Sequence, residues 1–137
     1  MERVRQKIGR IREYLSLIEG IQDDCLRRFA TDAIYRGALL HYLYMMADSS
    51  IALAEMVIKH KKLRPPQSYQ EVFDILGENK VLDPEFSFAF AKIAGFRNFL
   101  AHDYEKIDNA FICEDVLSRL GDVKIFLAQI EASLEIG

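Results

Sequence analysis

Apolar residues recur every three or four positions along most of the chain, which is the spacing of one face of an α-helix. The first series consists of Val4, Ile8, Ile11, Leu15 and Ile18. A similar series closes the chain, from Ile112 to Leu134. No segment alternates apolar and polar residues with the two-residue period of a β-strand. The pattern therefore predicts an all-α protein.

Residues that favour helix ends set the boundaries in the first half of the chain. We expect a first helix over residues 2–19, directly before a glycine, and a short helical turn over residues 23–29. Thr31 or Asp32 can then cap a long second helix. That helix is expected to reach about Lys61, because two consecutive prolines follow soon after it.

The second half of the chain contains signals for three further helices. Ser68 and Glu71 have the spacing of a capping box, and the helix that they open is expected to close at Gly77. Asp83 can cap a fourth helix that begins with Pro84, since proline is favoured at the first helical position. Asp108 can cap a final helix.

Length and composition predict one domain over residues 1–137. Half of the 137 residues are hydrophobic, which is enough for one sizeable core. We expect a four-to-five-helix bundle with up-and-down connections. No apolar run resembles a membrane span or a signal peptide, which favours a cytoplasmic protein that does not engage a membrane.

Cysteines and potential metal ligands are few. Cys25 and Cys113 make one possible pair, and we expect both thiols to be reduced in the cytoplasm. Neither cysteine belongs to a closely spaced metal-binding set, and the three histidines are scattered. The sequence therefore predicts no metal site and no cofactor.

Charge alone says little about partners. The formal net charge is −3, so a general nucleic-acid coat is not expected, although the placement of cations decides RNA binding. One local cluster lies on the first helix and consists of Arg3, Lys7 and Arg10. Another ends the second helix and consists of Lys59, Lys61, Lys62 and Arg64. Each cluster fits either a solvated face or a surface that follows RNA phosphates.

The segment from Arg97 to Tyr104 carries the chemistry that we single out. It holds a permanent cation, the titratable imidazole of His102 and a phenol. Cleavage of a phosphodiester needs a group that transfers a proton near neutral pH and a cation that stabilises charge on the phosphate, and His and Arg serve these roles. In a regular helix, however, Arg97 and His102 point about 140° apart. Either the helix breaks here, or another helix or another subunit completes the site.

Residues 94–108, AGFRNFLAHDYEKID, closely resemble the signature of the HepT-like proteins, the toxin halves of two-gene toxin–antitoxin modules in the HEPN superfamily. Residues 31–40 resemble the start of that family's second helix, and residues 65–73 resemble its middle connection. The resemblance thus extends over most of the chain and implies a HEPN-like bundle.

The resemblance also implies an activity and its control. It implies that Arg97 and His102 are the ribonuclease residues and that Tyr104 is a modifiable tyrosine. The expected partners are RNA and a cognate MntA-like nucleotidyltransferase antitoxin, which neutralises the toxin by nucleotidylation (AMPylation) of Tyr104.

A polar stripe on the second helix is the other candidate region. It consists of His41, Tyr44, Asp48 and Glu55. In HepT-like proteins an acidic residue of this helix often approaches the Arg and the His, so the resemblance implies that Asp48 orients Arg97 or His102. A solvent-facing acid is the alternative. Ser49 and Ser50 follow Asp48 where apolar neighbours are expected, which is a departure from the family's pattern.

We expect metal-independent cleavage in which the RNA 2′-hydroxyl attacks the adjacent phosphate. His102 then transfers the proton, Arg97 holds the phosphate and Asn98 supports them by hydrogen bonding. The spacing of Arg97 and His102 predicts a homodimer whose two motifs meet across a cleft. Two alternatives remain open: a non-catalytic helical dimer that acts as a nucleotide-binding or regulatory subunit of a nucleotidyltransferase, and a purely structural dimer.

Overall fold

The computed structural model describes residues 1–135, and of Tyr104 it describes the backbone alone. Within that range the chain forms seven α-helices and no strand, so the all-α prediction is confirmed. The helices are α1 Glu2–Ile21, α2 Cys25–Thr31, α3 Ala33–His60, α4 Tyr69–Glu78, α5 Pro84–Phe90, α6 Lys92–His102 and α7 Leu120–Leu134. A 3₁₀ turn, Tyr104–Lys106, follows α6, and a π-helical segment, Phe111–Val116, and a second 3₁₀ turn, Leu117–Arg119, precede α7.

Side-chain caps begin three of the helices where the sequence predicts them. Asp32, and not Thr31, caps α3, because its carboxylate accepts hydrogen bonds from the backbone N–H groups of residues 34 and 35 at 3.0 and 3.1 Å. Ser68 Oγ accepts from the backbone N–H of Glu71 at 3.1 Å at the start of α4. Asp83 caps α5 in the same way, with Pro84 at the first helical position.

Two predicted helices are less regular than expected. The fourth is divided at Ala91 into α5 and α6, and there the N–H of Ala94 donates to the Ala91 carbonyl, three residues back instead of four. The final helix begins near Asp108, whose carboxylate accepts from the N–H of Phe111 at 3.3 Å, but it passes through the π-helical segment before regular α7 starts at Leu120. Neither irregularity coincides with a glycine or a proline.

The core lies between α3 and the helices around it. Three phenylalanine rings join α4, α5 and α7: the ring centroids of Phe73 and Phe90 are 5.4 Å apart, and those of Phe90 and Phe126 are 4.9 Å apart. Two ion pairs, Arg12 with Glu131 and Glu19 with Lys124, connect α1 to α7. Because the residue numbers rise along one helix as they fall along the other, α1 and α7 are antiparallel.

The two cysteines are bonded to each other, so the expectation of reduced thiols is wrong for this structure. Cys25 lies in α2 and Cys113 in the π-helical segment, and their Cα atoms are 5.6 Å apart, which is an ordinary distance for a disulfide. The expectation depended on cysteine count and compartment. What brings the thiols together is the packing of two segments that are 88 positions apart, and composition does not reveal it.

No helix between residues 1 and 135 combines the length and the apolar character that crossing a membrane requires.

Candidate functional site

Arg97 lies on α6 and points towards α3, where its side chain is only 18% exposed. Its Nε donates a hydrogen bond to Asp48 Oδ1 at 3.0 Å, and its Nη1 donates to Asn98 Oδ1 at 3.1 Å. The structure therefore brings together three of the residues that the sequence singles out. A guanidinium has five N–H donors, and among the described residues no acceptor takes the other three donors of Arg97, so they can serve a phosphate.

Two tyrosine rings enclose the same guanidinium. The Cζ atom of Arg97 lies 5.3 Å from the ring centroid of Tyr44 in α3 and 5.2 Å from that of Tyr69, the first residue of α4. Both distances are within the range of cation–π attraction. Sequence reasoning placed Tyr44 on the polar stripe but missed Tyr69. The signal available for Tyr69 was a large aromatic residue directly after a helix cap, where a core position is not expected.

The neighbours of Arg97 stabilise the charged form of its guanidinium. Burial by itself lowers its pKa, but the hydrogen bond to Asp48 raises it, and the nearby Tyr44 and Asp48 raise it further. The net result is that the pKa of Arg97 lies above its ordinary value. The site is therefore a fixed, partly desolvated cation, which is the property that a phosphate clamp requires.

His102 is the last residue of α6 and is exposed. Because α6 is unbroken from Lys92 to His102, the side chains of Arg97 and His102 leave it about 140° apart. The helix therefore does not break between them, which was one of the two options that the spacing left. Within one chain, Arg97 turns towards α3 and His102 lies on a different side of α6.

Tyr104 belongs to the 3₁₀ turn that begins two residues after His102. Its side chain lies outside the described residues. The backbone alone places the residue just beyond the end of α6, next to Asp103, whose N–H closes that helix by donating to the Phe99 carbonyl.

The serines that follow Asp48 belong to the core side of α3. Ser49 and Ser50 are buried, and Ser50 Oγ donates to the Met46 carbonyl at 2.8 Å. Asp48, in contrast, is 42% exposed and faces α6. The departure from the family's pattern therefore affects the packing of α3 and leaves the position of Asp48 intact.

Some of the cations of the second basic cluster have structural partners. Arg64 pairs with Glu71 and Glu78, both at 2.9 Å, and Lys61 Nζ donates to the Ser133 carbonyl at 3.0 Å. The Arg64 ion pairs connect the segment after α3 to α4, and the Lys61 hydrogen bond connects the same segment to the end of α7. Among the described residues, no group of three or more His, Cys, Asp or Glu side chains is arranged to hold a metal ion.

An open apolar groove of about 580 Å³ runs beside α6. Residues of α5, α6 and the irregular segment before α7 line it, among them Phe88, Phe96, Phe99 and Phe111. Phe88 is 79% exposed and Phe111 is 39% exposed. The helix that carries Arg97 and His102 thus has apolar surface next to it.

Solved structures share this fold. The HEPN toxin of Shewanella oneidensis, solved in its tri-AMPylated form in complex with an MNT antitoxin, has a TM-score of 0.84 at 24% identity, over 94% of this chain and 96% of that one. A cytosolic protein of unknown function from Bacillus subtilis has a TM-score of 0.84 at 20% identity, over 98% of this chain and 90% of that one.

Sequence comparison identifies the family. A protein named mRNA nuclease HepT, from Shewanella oneidensis, is 25% identical over 92% of this chain and 94% of its own length. A protein named tRNA nuclease HepT, from Aphanizomenon flos-aquae, is 28% identical over 93% of this chain and 84% of its own length. The model of the family described as ribonuclease HepT-like matches residues 10–130. The chain therefore belongs to the ribonuclease HepT-like family and is an endoribonuclease with the fold of the HEPN toxins.

Proposed function

We propose that this protein is the toxin of a toxin–antitoxin module and that it cleaves RNA with Arg97 and His102. The observation that carries the proposal is the setting of Arg97, which Asp48, Asn98 and two tyrosine rings hold on the helix that His102 ends. Its relatives named mRNA nuclease and tRNA nuclease support RNA as the substrate.

The chemistry follows from what RNA itself provides. The ribose 2′-hydroxyl attacks the adjacent phosphorus, the bond from phosphorus to the 5′-oxygen breaks, and a 2′,3′-cyclic phosphate remains. Arg97 stabilises the charge that develops on the phosphate oxygens, because its planar fork fits them. His102 transfers a proton to or from the reacting oxygens. Asp48 and Asn98 act through Arg97 and are positioning residues.

A homodimer supplies what a single chain lacks. Arg97 and His102 leave α6 in different directions, so a site that contains both groups is completed when α6 of a second copy approaches. The apolar groove beside α6, with its exposed Phe88, supports contact on this side of the molecule. Light scattering is expected to give the mass of a dimer at micromolar concentration. A fully active monomer would contradict this part of the proposal.

Control by a partner belongs to the same proposal. The related HEPN toxin of Shewanella oneidensis is tri-AMPylated and was solved with an MNT antitoxin. We place the modification of this chain on Tyr104 and assign it to a cognate MntA-like nucleotidyltransferase. An adenylate there adds an anion and a nucleoside two positions from His102, in space that RNA phosphate would occupy.

Cleavage by two single variants tests the assignment. His102→Ala is expected to lower the cleavage rate by about 10²- to 10⁴-fold, the usual cost of a lost general acid or base. Arg97→Ala is expected to lower it to a similar degree, because the phosphate loses its cation. Arg5→Ala, at an exposed position of α1 outside the basic cluster, is the matched control for a lost cation and should cleave like the wild-type protein.

The same assay separates the alternatives. Cleavage by the wild-type protein is expected to persist in excess chelator. If the protein binds RNA but cleaves none, it is the non-catalytic binding subunit. If the His102→Ala variant cleaves at the full rate, the chemistry belongs to other residues.

A further inference from the structure

Tyr69 is exposed although it is large, aromatic and beside the site. It is 40% exposed, whereas Tyr44, the other ring at Arg97, is partly buried and packs against the core. Packing therefore accounts for the position of Tyr44 but not for that of Tyr69. A large exposed aromatic ring next to a phosphate-binding cation is the arrangement that single-stranded RNA sites use to stack bases.

The chain holds Tyr69 in place through polar contacts with its neighbours. Ser68 caps α4 by accepting from the N–H of Glu71, and the Glu71 carboxylate accepts from the N–H of Gln67 at 3.1 Å. Arg64 pairs with that same carboxylate at 2.9 Å. Tyr69 lies between Ser68 and Glu71, two members of this network, so its backbone position is fixed before any ligand binds. A preformed stacking surface loses less entropy on binding than a mobile one.

The distances suit a nucleotide. The ring centroid of Tyr69 lies 5.2 Å from the Cζ atom of Arg97, so a phosphate held by Arg97 brings the base of its own nucleotide within reach of the ring. Arg97 approaches the ring from one side, and the exposure of Tyr69 leaves other parts of the ring surface open to solvent.

We propose that Tyr69 forms a nucleobase subsite, in which the ring stacks a base next to the phosphate that Arg97 holds. The ligand is an unpaired base of single-stranded RNA, because a base within a duplex has no free face to offer. This inference rests on the proposed function in that it takes RNA as the substrate and Arg97 as the phosphate clamp. It predicts that the protein selects unpaired regions of RNA, since stacking accepts any base but requires that the base be unstacked from its neighbours.

Binding to a non-cleavable probe tests the subsite without the chemical step. The probe is a short single-stranded 2′-O-methyl oligonucleotide, which lacks the attacking hydroxyl, and its partner is the same backbone without bases. Fluorescence anisotropy at one fixed salt concentration gives the ratio of the two affinities. We expect Tyr69→Ala to reduce the preference for the base-bearing probe by about 5- to 150-fold, the range for one lost stacking partner.

Three further variants make the result specific. Tyr69→Phe keeps the ring and should keep the preference, whereas Tyr69→Leu keeps apolar bulk without an aromatic face and should lose it. Leu17→Ala, on α1, removes a side chain of similar exposure, 45%, and should change nothing. An unchanged preference in Tyr69→Ala overturns the subsite, and so does an equal loss in Tyr69→Phe, because the hydroxyl and not the ring would then carry the effect.

The failure of the subsite and that of the proposed function give different results. A protein that cleaves RNA through Arg97 and His102 but shows no effect of Tyr69→Ala contradicts the subsite alone. A protein that prefers base-bearing RNA through Tyr69 but cleaves none contradicts the proposed chemistry and leaves the subsite standing.

Discussion

Arg97 has its position in the site because residues from three helices contact it. Asp48 and Tyr44 come from α3, Tyr69 begins α4, and Asn98 is the next residue of α6. Each contact uses the guanidinium differently: a carboxylate accepts from Nε, an amide oxygen accepts from Nη1, and two ring faces attract the positive charge. A lysine has a single ammonium group and cannot make this set of contacts together.

Substitution of Asp48 tests whether the position of Arg97 matters for catalysis. Asp48→Ala removes the acceptor at Nε, so the guanidinium is free to rotate, and we expect cleavage to fall by about 10- to 100-fold, as when a catalytic group is misplaced by about 1 Å. Asp48→Asn keeps an acceptor oxygen and should lose less. Initial rates of RNA cleavage measure both variants.

Glu55→Ala is the matched control, because Glu55 lies seven positions later on the same stripe and is exposed. It should cleave at the full rate. The Asp48 side chain is 42% exposed, so solvent screens its ion pair with Arg97, and we expect its loss to change the free energy of unfolding by no more than about 1 kcal/mol. If Asp48→Ala cleaves like Glu55→Ala, Asp48 does not position Arg97 in any way that matters for the reaction.

The residues of the site differ in how far the sequence alone identifies them. Arg97 and His102 stand in one contiguous segment, so their chemistry and their family pattern can be read directly. Tyr69 reaches Arg97 only because the connection after α3 sets α4 beside α6. No spacing rule along the chain predicts such a contact, since it depends on how three helices pack.

Helix starts are predicted well because each depends on a few neighbouring residues. The carboxylate of Asp32 and the hydroxyl of Ser68 accept from backbone N–H groups two or three positions ahead, which is information that the local sequence contains. The division at Ala91 is not predicted, because alanine favours helix. The core that α5 and α6 share with α4 and α7 is formed by distant residues and sets the direction of each helix.

Gly77 shows how closely two elements approach. It is buried in α4, and a Cβ atom there would lie 2.7 Å from Ser87 Oγ and 3.0 Å from Ser87 Cβ. Ser87 is 2% exposed and its hydroxyl donates to the Phe73 carbonyl, so it has little room to move. We expect Gly77→Ala to lower the free energy of unfolding by about 1–3 kcal/mol, the usual cost of overpacking. Urea denaturation measures the change.

Gly9→Ala is the opposite case in the same assay. It lies within α1 and is exposed, and a Cβ there would meet nothing within 4 Å. Alanine should therefore stabilise the protein by about 0.5–1 kcal/mol through its higher helix propensity. Stabilisation by Gly77→Ala as well would show that α4 and α5 are not packed as closely as described.

On the scale of the whole molecule, the disulfide joins segments from opposite ends of the chain. Cys25 and Cys113 are 88 positions apart, and the loop that they close contains the Arg97 site. In the chain-entropy description, a cross-link over a loop of this length stabilises the folded state by about 4.6 kcal/mol, because it restricts the unfolded chain. The sequence alone did not predict this bond, for the same reason that it did not predict the Tyr69 contact: both depend on long-range packing.

Reduction is therefore expected to lower the free energy of unfolding by about that amount. Urea denaturation of the wild-type protein should give different unfolding curves with and without a reductant. For Cys25→Ser, which cannot form the bond, the two curves should coincide. The intact mass of the unreduced protein, after treatment with a thiol-specific reagent, should show no labelled thiol. Two labelled thiols, or coincident curves, would contradict the bond.

The proposed regulation by a partner depends on a single atom, the phenol oxygen of Tyr104. Tyr104 follows His102, the last residue of α6, by two positions, so a nucleotide attached to it would be tethered to the end of the helix that carries Arg97 and His102. Tyr104→Phe removes only the acceptor oxygen. We therefore expect this variant to cleave RNA at the normal rate. It should also remain active when it is co-expressed with the cognate nucleotidyltransferase, whereas the wild-type protein should be silenced.

Intact mass spectrometry should show added adenylate on the wild-type protein and on the control Tyr14→Phe, which changes a tyrosine of α1. It should show none on Tyr104→Phe. Adenylate that persists on Tyr104→Phe would move the modification to another residue, and silencing without any added mass would mean that the antitoxin acts by binding alone.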